Sequence, residues 1–254
     1  MKITFLGTGT SQGVPVIGCD CDVCRSLDFR DKRLRSSVHL QVGSKSLVID
    51  TGPDFRQQML REGIRQLDAV LYTHEHKDHT AGLDDIRPFN FLQHADMPIY
   101  GRAAVLNQIK TEFSYIFTEH RYPGIPMVET HVIENRPFDV EGIPVHPIRV
   151  MHHQLPVFGY RINDFTYITD ANYIPPEELR KIAGTRILVI NALQQTPHIS
   201  HFTLQQAIEM VNVIKPEKAY LTHISHRLGL HRKVEATLPE NVFIGYDGLK
   251  ITLE

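Results

Sequence analysis

An apolar run at residues 67–72 ends directly on Thr73-His74-Glu75-His76-Lys77-Asp78-His79, and this junction constrains the chain more than any other feature. The run reads as a strand, and three imidazoles and one carboxylate follow it, spaced His-x-His-x-Asp-His. Imidazole nitrogen and carboxylate oxygen are the donors that hold zinc, iron or manganese. In extended chain His74 and His76 project to one side, while Asp78 and His79 fall at the turn into a helix. Ligands collect at strand ends of this kind in α/β sheets. A histidine-rich surface turn is the plain alternative. That spacing would arise by chance in roughly one shuffled chain in three hundred, so a metal site is the stronger reading.

At 254 residues the chain can bury a substantial core. Hydrophobic residues make up 42% and charged ones 22%, as in ordinary globular proteins. A net charge of −2 gives no electrostatic case for non-specific binding to nucleic acid or a membrane. No apolar run approaches the roughly 18 residues that a membrane-spanning helix needs. The N-terminal apolar segment meets Gly7 too early for a secretory signal. Cytoplasmic placement is expected.

The cysteines, Cys19, Cys21 and Cys24, lie inside six positions. An odd, clustered set does not resemble a disulfide framework. It looks like three legs of a tetrahedral zinc site that lacks its fourth. The redox alternative uses Cys21 and Cys24 as a Cys-x-x-Cys pair opening a helix. Gly18, Asp20 and Asp22 instead read as a loop, and acidic neighbours raise a thiol pKa. Structural zinc is the preferred expectation.

Strands are expected at 2–6, 37–42, 46–49, 128–133, 143–150, 159–162, 165–169, 186–190, 219–222, 243–246 and 250–253. Gly43-Ser44-Lys45 marks a hairpin, and Pro53 starts a helix over 54–62. Helices are also expected at 103–117, 175–183 and 203–214. In the last, Thr203 with Gln206 fits a capping box, and Leu204, Ala207, Ile208, Val211 and Ile214 make a core-facing stripe. Gly7-Thr8-Gly9-Thr10-Ser11-Gln12-Gly13 departs from Gly-x-Gly-x-x-Gly and is read as a tight loop beside the metal site. No linker or repeat appears, so a single α/β domain is expected, a four-layer αβ/βα sandwich. It would carry a zinc loop at about 13–36 and a variable cap at about 85–127.

The four donors of 74–79 cannot complete a binuclear centre. Three further candidates sit at strand ends: His153, Asp170 and His223. Each alone is unremarkable; the repeated placement is the signal.

With these residues in the order His-x-His-x-Asp-His, His, Asp, His, the chain resembles the metallo-β-lactamase superfamily. It is most similar to the PhnP-type phosphodiesterases of phosphonate utilisation. The shared features are residues 9–15, Gly18-Cys19-x-Cys21-x-x-Cys24, Phe158-Gly159-Tyr160, Leu221-Thr222-His223-Ile224-Ser225-His226 and Gly245-Tyr246-Asp247-Gly248. The likeness fades across 85–127.

This resemblance implies that His74, His76 and His153 hold one divalent metal ion. Asp78, His79 and His223 hold the other, with Asp170 bridging. Zinc, manganese and iron all suit these donors. Of His152 and His153, the spacing to Phe158-Gly159-Tyr160 selects His153. Asp50 becomes an acceptor that orients a metal-bound imidazole. His226 supplies the fourth leg to Cys19, Cys21 and Cys24. His201, before the helix at 203–214, takes the place of the general acid, with His198 its nearest competitor. Asp78 is the carboxylate of the 74–79 motif that the reaction requires. The paired cations would activate a bridging water for attack on a small cyclic or linear phosphodiester.

Related readings are a tRNA 3′-processing nuclease, a thioesterase, a lactamase and an iron-dependent oxidoreductase. The cysteine loop is also similar to that of quinone-cofactor biosynthesis proteins. No long basic or Gly/Pro-rich arm for gripping tRNA appears. His76 stands where the oxidoreductive relatives tend to place a carboxylate. A non-catalytic scaffold has no use for a proton donor at 201. Substrate choice is expected to lie in 85–127, with Arg87, Phe89, Tyr115, His120 and Arg121 as unranked candidates. Likeness to dimeric relatives makes a homodimer the expected assembly.

Overall fold

Among the described residues the strands form two sheets. A computed structural model describes residues 1–118 and 124–254. His120 and Arg121 therefore lie outside the described residues. In chain order the strands are β1 (Lys2–Gly7), β2 (Ser37–Val42), β3 (Lys45–Ile49), β4 (Ala69–Leu71), β5 (Met97–Gly101), β6 (Val128–Val132) and β7 (Phe138–Val140). They continue as β8 (Ile143–His152), β9 (Leu155–Ile162), β10 (Phe165–Ile168), β11 (Ile187–Asn191), β12 (Lys218–Thr222), β13 (Val242–Ile244) and β14 (Lys250–Thr252). One sheet has the order β14-β1-β2-β3-β4-β5-β6 and the other β13-β12-β11-β10-β9-β8-β7. In each, four consecutive strands run parallel, β3 to β6 and β10 to β13, so their C-terminal ends share one rim.

Strand alternation explains the layering. Ile49, Leu71 and Val189 point between the sheets, where they meet Phe5, Leu40, Tyr160 and Tyr167. Their neighbours Val48, Val70 and Ile190 point outward. Val48 and Val70 pack on Phe55 and Met59 of helix Phe55–Glu62 and on Val105 and Ile109 of helix Ala103–Glu112. Ile190 and Leu221 pack on Ile182 of helix Pro176–Ile182 and on Leu204, Ala207 and Val211 of helix Leu204–Ile214. The architecture is the four-layer αβ/βα sandwich. Helix Leu204–Ile214 opens with the expected capping box, Thr203 Oγ1 accepting from Gln206 N and Gln206 Oε1 from Thr203 N.

Three differences from the sequence reading matter. Strand β5 lies inside 85–127 and went unrecognised; Pro98 in its middle disguises it, since proline within a run reads as an edge or a loop. Strand β8 runs two residues beyond 150, to His152. The three described candidates of the cap are already engaged. Arg87 and Tyr115 both bind Asp84, and Phe89 is buried against Phe55 with ring centroids 6.3 Å apart.

The two sheets are tied together beneath the shared rim. Tyr160 Oη donates to the Tyr72 carbonyl (2.6 Å), and Phe158 N donates to the Thr73 carbonyl (3.1 Å). A Cβ on Gly52 would stand 2.2 Å from the Asp78 carbonyl oxygen. Only glycine lets the turn after β3 close on the histidine motif.

Candidate metal centre

Five strand ends deliver the donors. Asp50 follows β3, the 74–79 motif follows β4, His152 ends β8, Asp170 follows β10 and His223 follows β12. Asp50, Asp170 and His223 all adopt positive φ, at 66°, 53° and 54°. Non-glycine residues occupy that region at a cost and are held there by their surroundings. Asp50 is held by Thr73, whose N and Oγ1 each donate to its carboxylate at 2.8 Å. The Asp170 turn is held by Asn191, which bonds both the N–H and the carbonyl of Ala171 at 2.9 Å.

One half of the site gathers Asp78, His79, Asp170 and His223, whose ligand atoms all lie within 4.8 Å of one another. His79 Nε2 stands 3.2 Å from Asp78 Oδ2 and 3.2 Å from Asp170 Oδ2, and His223 Nε2 stands 3.2 Å from Asp170 Oδ1. Bonds of about 2.0–2.2 Å to one ion separate donors by about that much. His79 Nδ1 is 2.7 Å from Asp50 Oδ2, which turns Nε2 into the cluster. Thr10 Oγ1 lies 3.3 Å from His223 Nε2, so the 7–13 loop does border the site.

The other half is imidazole-rich. The His74 ring lies 4.5 Å from that of His76 and 5.8 Å from that of His152, and His76 and His152 are 5.2 Å apart. Here the sequence expectation needs correction: His152, not His153, faces the cluster. Because β8 continues through His152, side-chain alternation carries that ring inward. His153 falls in the hairpin turn at φ 55°, exposed, with its backbone N–H donating to Asn172 Oδ1 (2.9 Å). His152 Nδ1 donates to the Ser200 carbonyl (2.8 Å), leaving Nε2 for the site.

The donor set fits cations. His74 is fully buried, with Nδ1 3.0 Å from Thr73 Oγ1 and Nε2 aimed into the cluster without a hydrogen-bond partner. A buried imidazole nitrogen left without a hydrogen-bond partner is free to serve as a metal ligand. Burial works against charging His79, yet Asp78, Asp170 and Asp50 together hold its pKa well above the ordinary value. Burial likewise opposes ionisation of Asp170, but His223, His79 and His74 hold it well below the usual carboxylate range. The cavity is built for positive charge.

His201 completes the wall. Its Nδ1 is 3.7 Å from Asp170 Oδ1, and its ring stacks on His223 at 4.8 Å and approaches His152 at 4.5 Å. Phe202 N donates to the Ala171 carbonyl (2.7 Å), which anchors His201 to the Asp170 turn. Burial pushes its imidazole down to about 3, with Asp170 acting the other way and His223 adding to the fall. His198 is farther out, its ring 5.1 Å from that of His201. Thr73, Asn191 and the Ser200 carbonyl are supports that the sequence reading missed. Thr73 alone carried a signal, by standing next to the motif.

A second cluster joins Cys19, Cys21, Cys24 and His226. The three Sγ atoms lie 3.2, 3.4 and 3.6 Å from His226 Nδ1. Tetrahedral zinc, with bonds of about 2.3 Å to sulfur and 2.0 Å to nitrogen, sets sulfur and nitrogen about 3.5 Å apart. Cys21 caps the short helix Asp22–Arg25, where a loop was expected, and its thiol is lowered to about 6 rather than raised. The backbone N–H of Cys24 is the main cause; burial opposes it, and His226, Cys19 and Cys24 assist. A thiolate there suits a metal ligand. Cys21→Ser should remove about one zinc per chain and lower Tm by about 5 °C or more. Unchanged zinc content by mass spectrometry contradicts this.

The fold and the donor set have counterparts among known proteins. A sequence profile described as the Beta-lactamase superfamily domain matches residues 45–224, and the chain belongs to that superfamily. Its likeness to the PhnP branch also holds. A crystal structure described as a new diphosphatase from the PhnP family is 40% identical, with a TM-score of 0.93 over 100% of this chain and 98% of that one. The octanoyltransferase of Porphyromonas gingivalis (strain ATCC BAA-308 / W83) is 41% identical over 257 residues, 100% of this chain and 52% of that protein. The chain thus spans about half the length of this curated relative. Zn(2+)-bound PqqB from Methylobacterium extorquens shares the fold, with 20% identity and a TM-score of 0.80 over 100% of both chains. No helix among the described residues is long and apolar enough to cross a membrane.

Proposed function

We propose that this chain is a binuclear metal-dependent phosphoesterase that hydrolyses a small phosphodiester. The observation that carries the reading is the convergence of His74, His76, Asp78, His79, His152, Asp170 and His223 on one rim, with His201 beside them. Divalent cations bound there, zinc or manganese, supply Lewis acidity toward a phosphoryl oxygen and activate water near neutral pH. His74, His76 and His152 would hold one, Asp78, His79 and His223 the other, and Asp170, which lies against His79, His223 and His201, would be the carboxylate shared between the two halves. Asp50 and the Ser200 carbonyl fix the ring orientations of His79 and His152. His201 is the group placed to give a proton to the departing alkoxide oxygen, a role that requires the phosphoryl charge of bound substrate to lift its imidazole pKa from the value of about 3 to which burial pushes it.

With added manganese or zinc the protein should hydrolyse bis-p-nitrophenyl phosphate or a 2′,3′-cyclic nucleotide. Asp170→Ala should lower kcat/KM by about a thousandfold or more. His201→Ala should keep its metal and slow an alkyl leaving group by about a hundredfold, and an aryl one less. Full activity of that variant on an alkyl ester contradicts the role given to His201.

A diphosphate substrate is the second reading, favoured by the diphosphatase that is 40% identical. The name of the P. gingivalis relative raises acyl chemistry instead. Faster turnover of p-nitrophenyl octanoate than of any phosphodiester would move the assignment there.

A further inference from the structure

A cavity of about 280 Å³ is lined by His201 and His198 together with the turns at 10–12 and 225–227. We infer that this cavity receives the departing half of the substrate, and that Arg227 selects departing groups that carry their own phosphoryl charge. The inference rests on the phosphoesterase reading above and narrows it.

Three observations support it. The cavity shares His201 with the metal centre, so a group leaving past that ring enters it directly. Ser11, Gln12, Gln194 and His198 line it together with Arg227, an exposed residue that brings its one fixed charge, and no carboxylate is among the lining residues. Among the described residues no ion pair engages Arg227, whereas Arg25, Arg35 and Arg61 each hold a carboxylate. An arginine in an uncompensated pocket is suited to a phosphate, which its planar fork can grip through two hydrogen bonds.

The cysteine cluster anchors one wall of this cavity through His226. His226, the residue before Arg227, binds the three thiols of the 19–24 loop, and Thr10 on the opposite wall touches His223. Thr10 N also donates to the Ile224 carbonyl (3.1 Å), which joins the two segments to each other beside the metal centre. Arg227 is a specificity residue positioned by these contacts.

Hydrolysis of a disubstituted diphosphate fits this arrangement. The water oxygen bonds to one phosphorus, and the bridging P–O bond breaks with its electron pair leaving on the second phosphoryl group. The two water protons pass to the products or to solvent, and Arg227 faces the charge that builds on the departing phosphomonoester. An alkoxide leaving group would lean on His201 instead.

The test compares kcat/KM for ADP-ribose, a disubstituted diphosphate, with that for bis-p-nitrophenyl phosphate, using full-length protein with manganese. Arg227→Gln should lower the ratio of the two constants about tenfold or more, and Arg227→Lys should restore part of it. Matching melting curves and zinc contents show that both variants fold. A wild type that cleaves bis-p-nitrophenyl phosphate but not ADP-ribose, or a ratio that Arg227→Gln leaves within twofold, overturns the inference alone. A wild type that cleaves neither overturns the phosphoesterase reading with it.

Discussion

His152→Ala is expected to lower turnover about a thousandfold or more and to release metal, while His153→Ala keeps both. The two residues are neighbours in sequence and opposites in structure. His152 Nδ1 is spent on the Ser200 carbonyl, so Nε2 must point toward His74, His76 and His201. Removing this ring leaves His74 and His76 with one carboxylate, Asp170, to complete their half. His153 is exposed, and only its backbone N–H is used, by Asn172. Alanine there preserves that N–H. Its positive φ is tolerated in the native residue at some cost, so a small stability change can accompany unaltered chemistry. Paired metal analysis and kinetics of the two variants decide the matter. Loss of activity at 153 with retention at 152 would reverse the assignment.

Asp50→Ala should be the most destabilising single change in the site, by about 3–5 kcal/mol. Its carboxylate is fully buried and accepts from Thr73 N, Thr73 Oγ1 and His79 Nδ1, so truncation strands three donors at once. Burial alone raises its pKa, and His79 and Thr73 work against that rise. The chemistry should suffer as well, because His79 loses the partner that turns Nε2 toward Asp78 and Asp170. Asp50→Asn separates the effects. It conserves volume but presents an amide N–H to one side of a cage of donors, so metal affinity should fall about 10- to 100-fold with a smaller stability loss. Denaturant melts and metal titrations of both variants provide the check. An Asp50→Ala variant as stable as the wild type would show that these bonds contribute little.

The sequence made the donors at 74–79, 170 and 223 legible because each follows an apolar run that could be only a strand. The same logic failed by one residue at His152. Where a strand stops determines which neighbour faces inward, and periodicity alone does not mark where β8 turns. Strand β5 was hidden by Pro98, and the Asn191 and Ser200 contacts link segments that share no local pattern. The cavity at Arg227 is assembled from three loops, so no window of sequence contains it. The Cys19, Cys21, Cys24 spacing announced a site, whereas its fourth member, about two hundred residues away, came only through family resemblance.

The most direct test is anomalous diffraction from crystals grown with manganese. Two peaks about 3.5–4 Å apart are expected, one against His74, His76 and His152, the other against Asp78, His79 and His223, with the Asp170 carboxylate touching both. A single peak, or density displaced from Asp170, would contradict the paired-cation site from which the proposed chemistry follows.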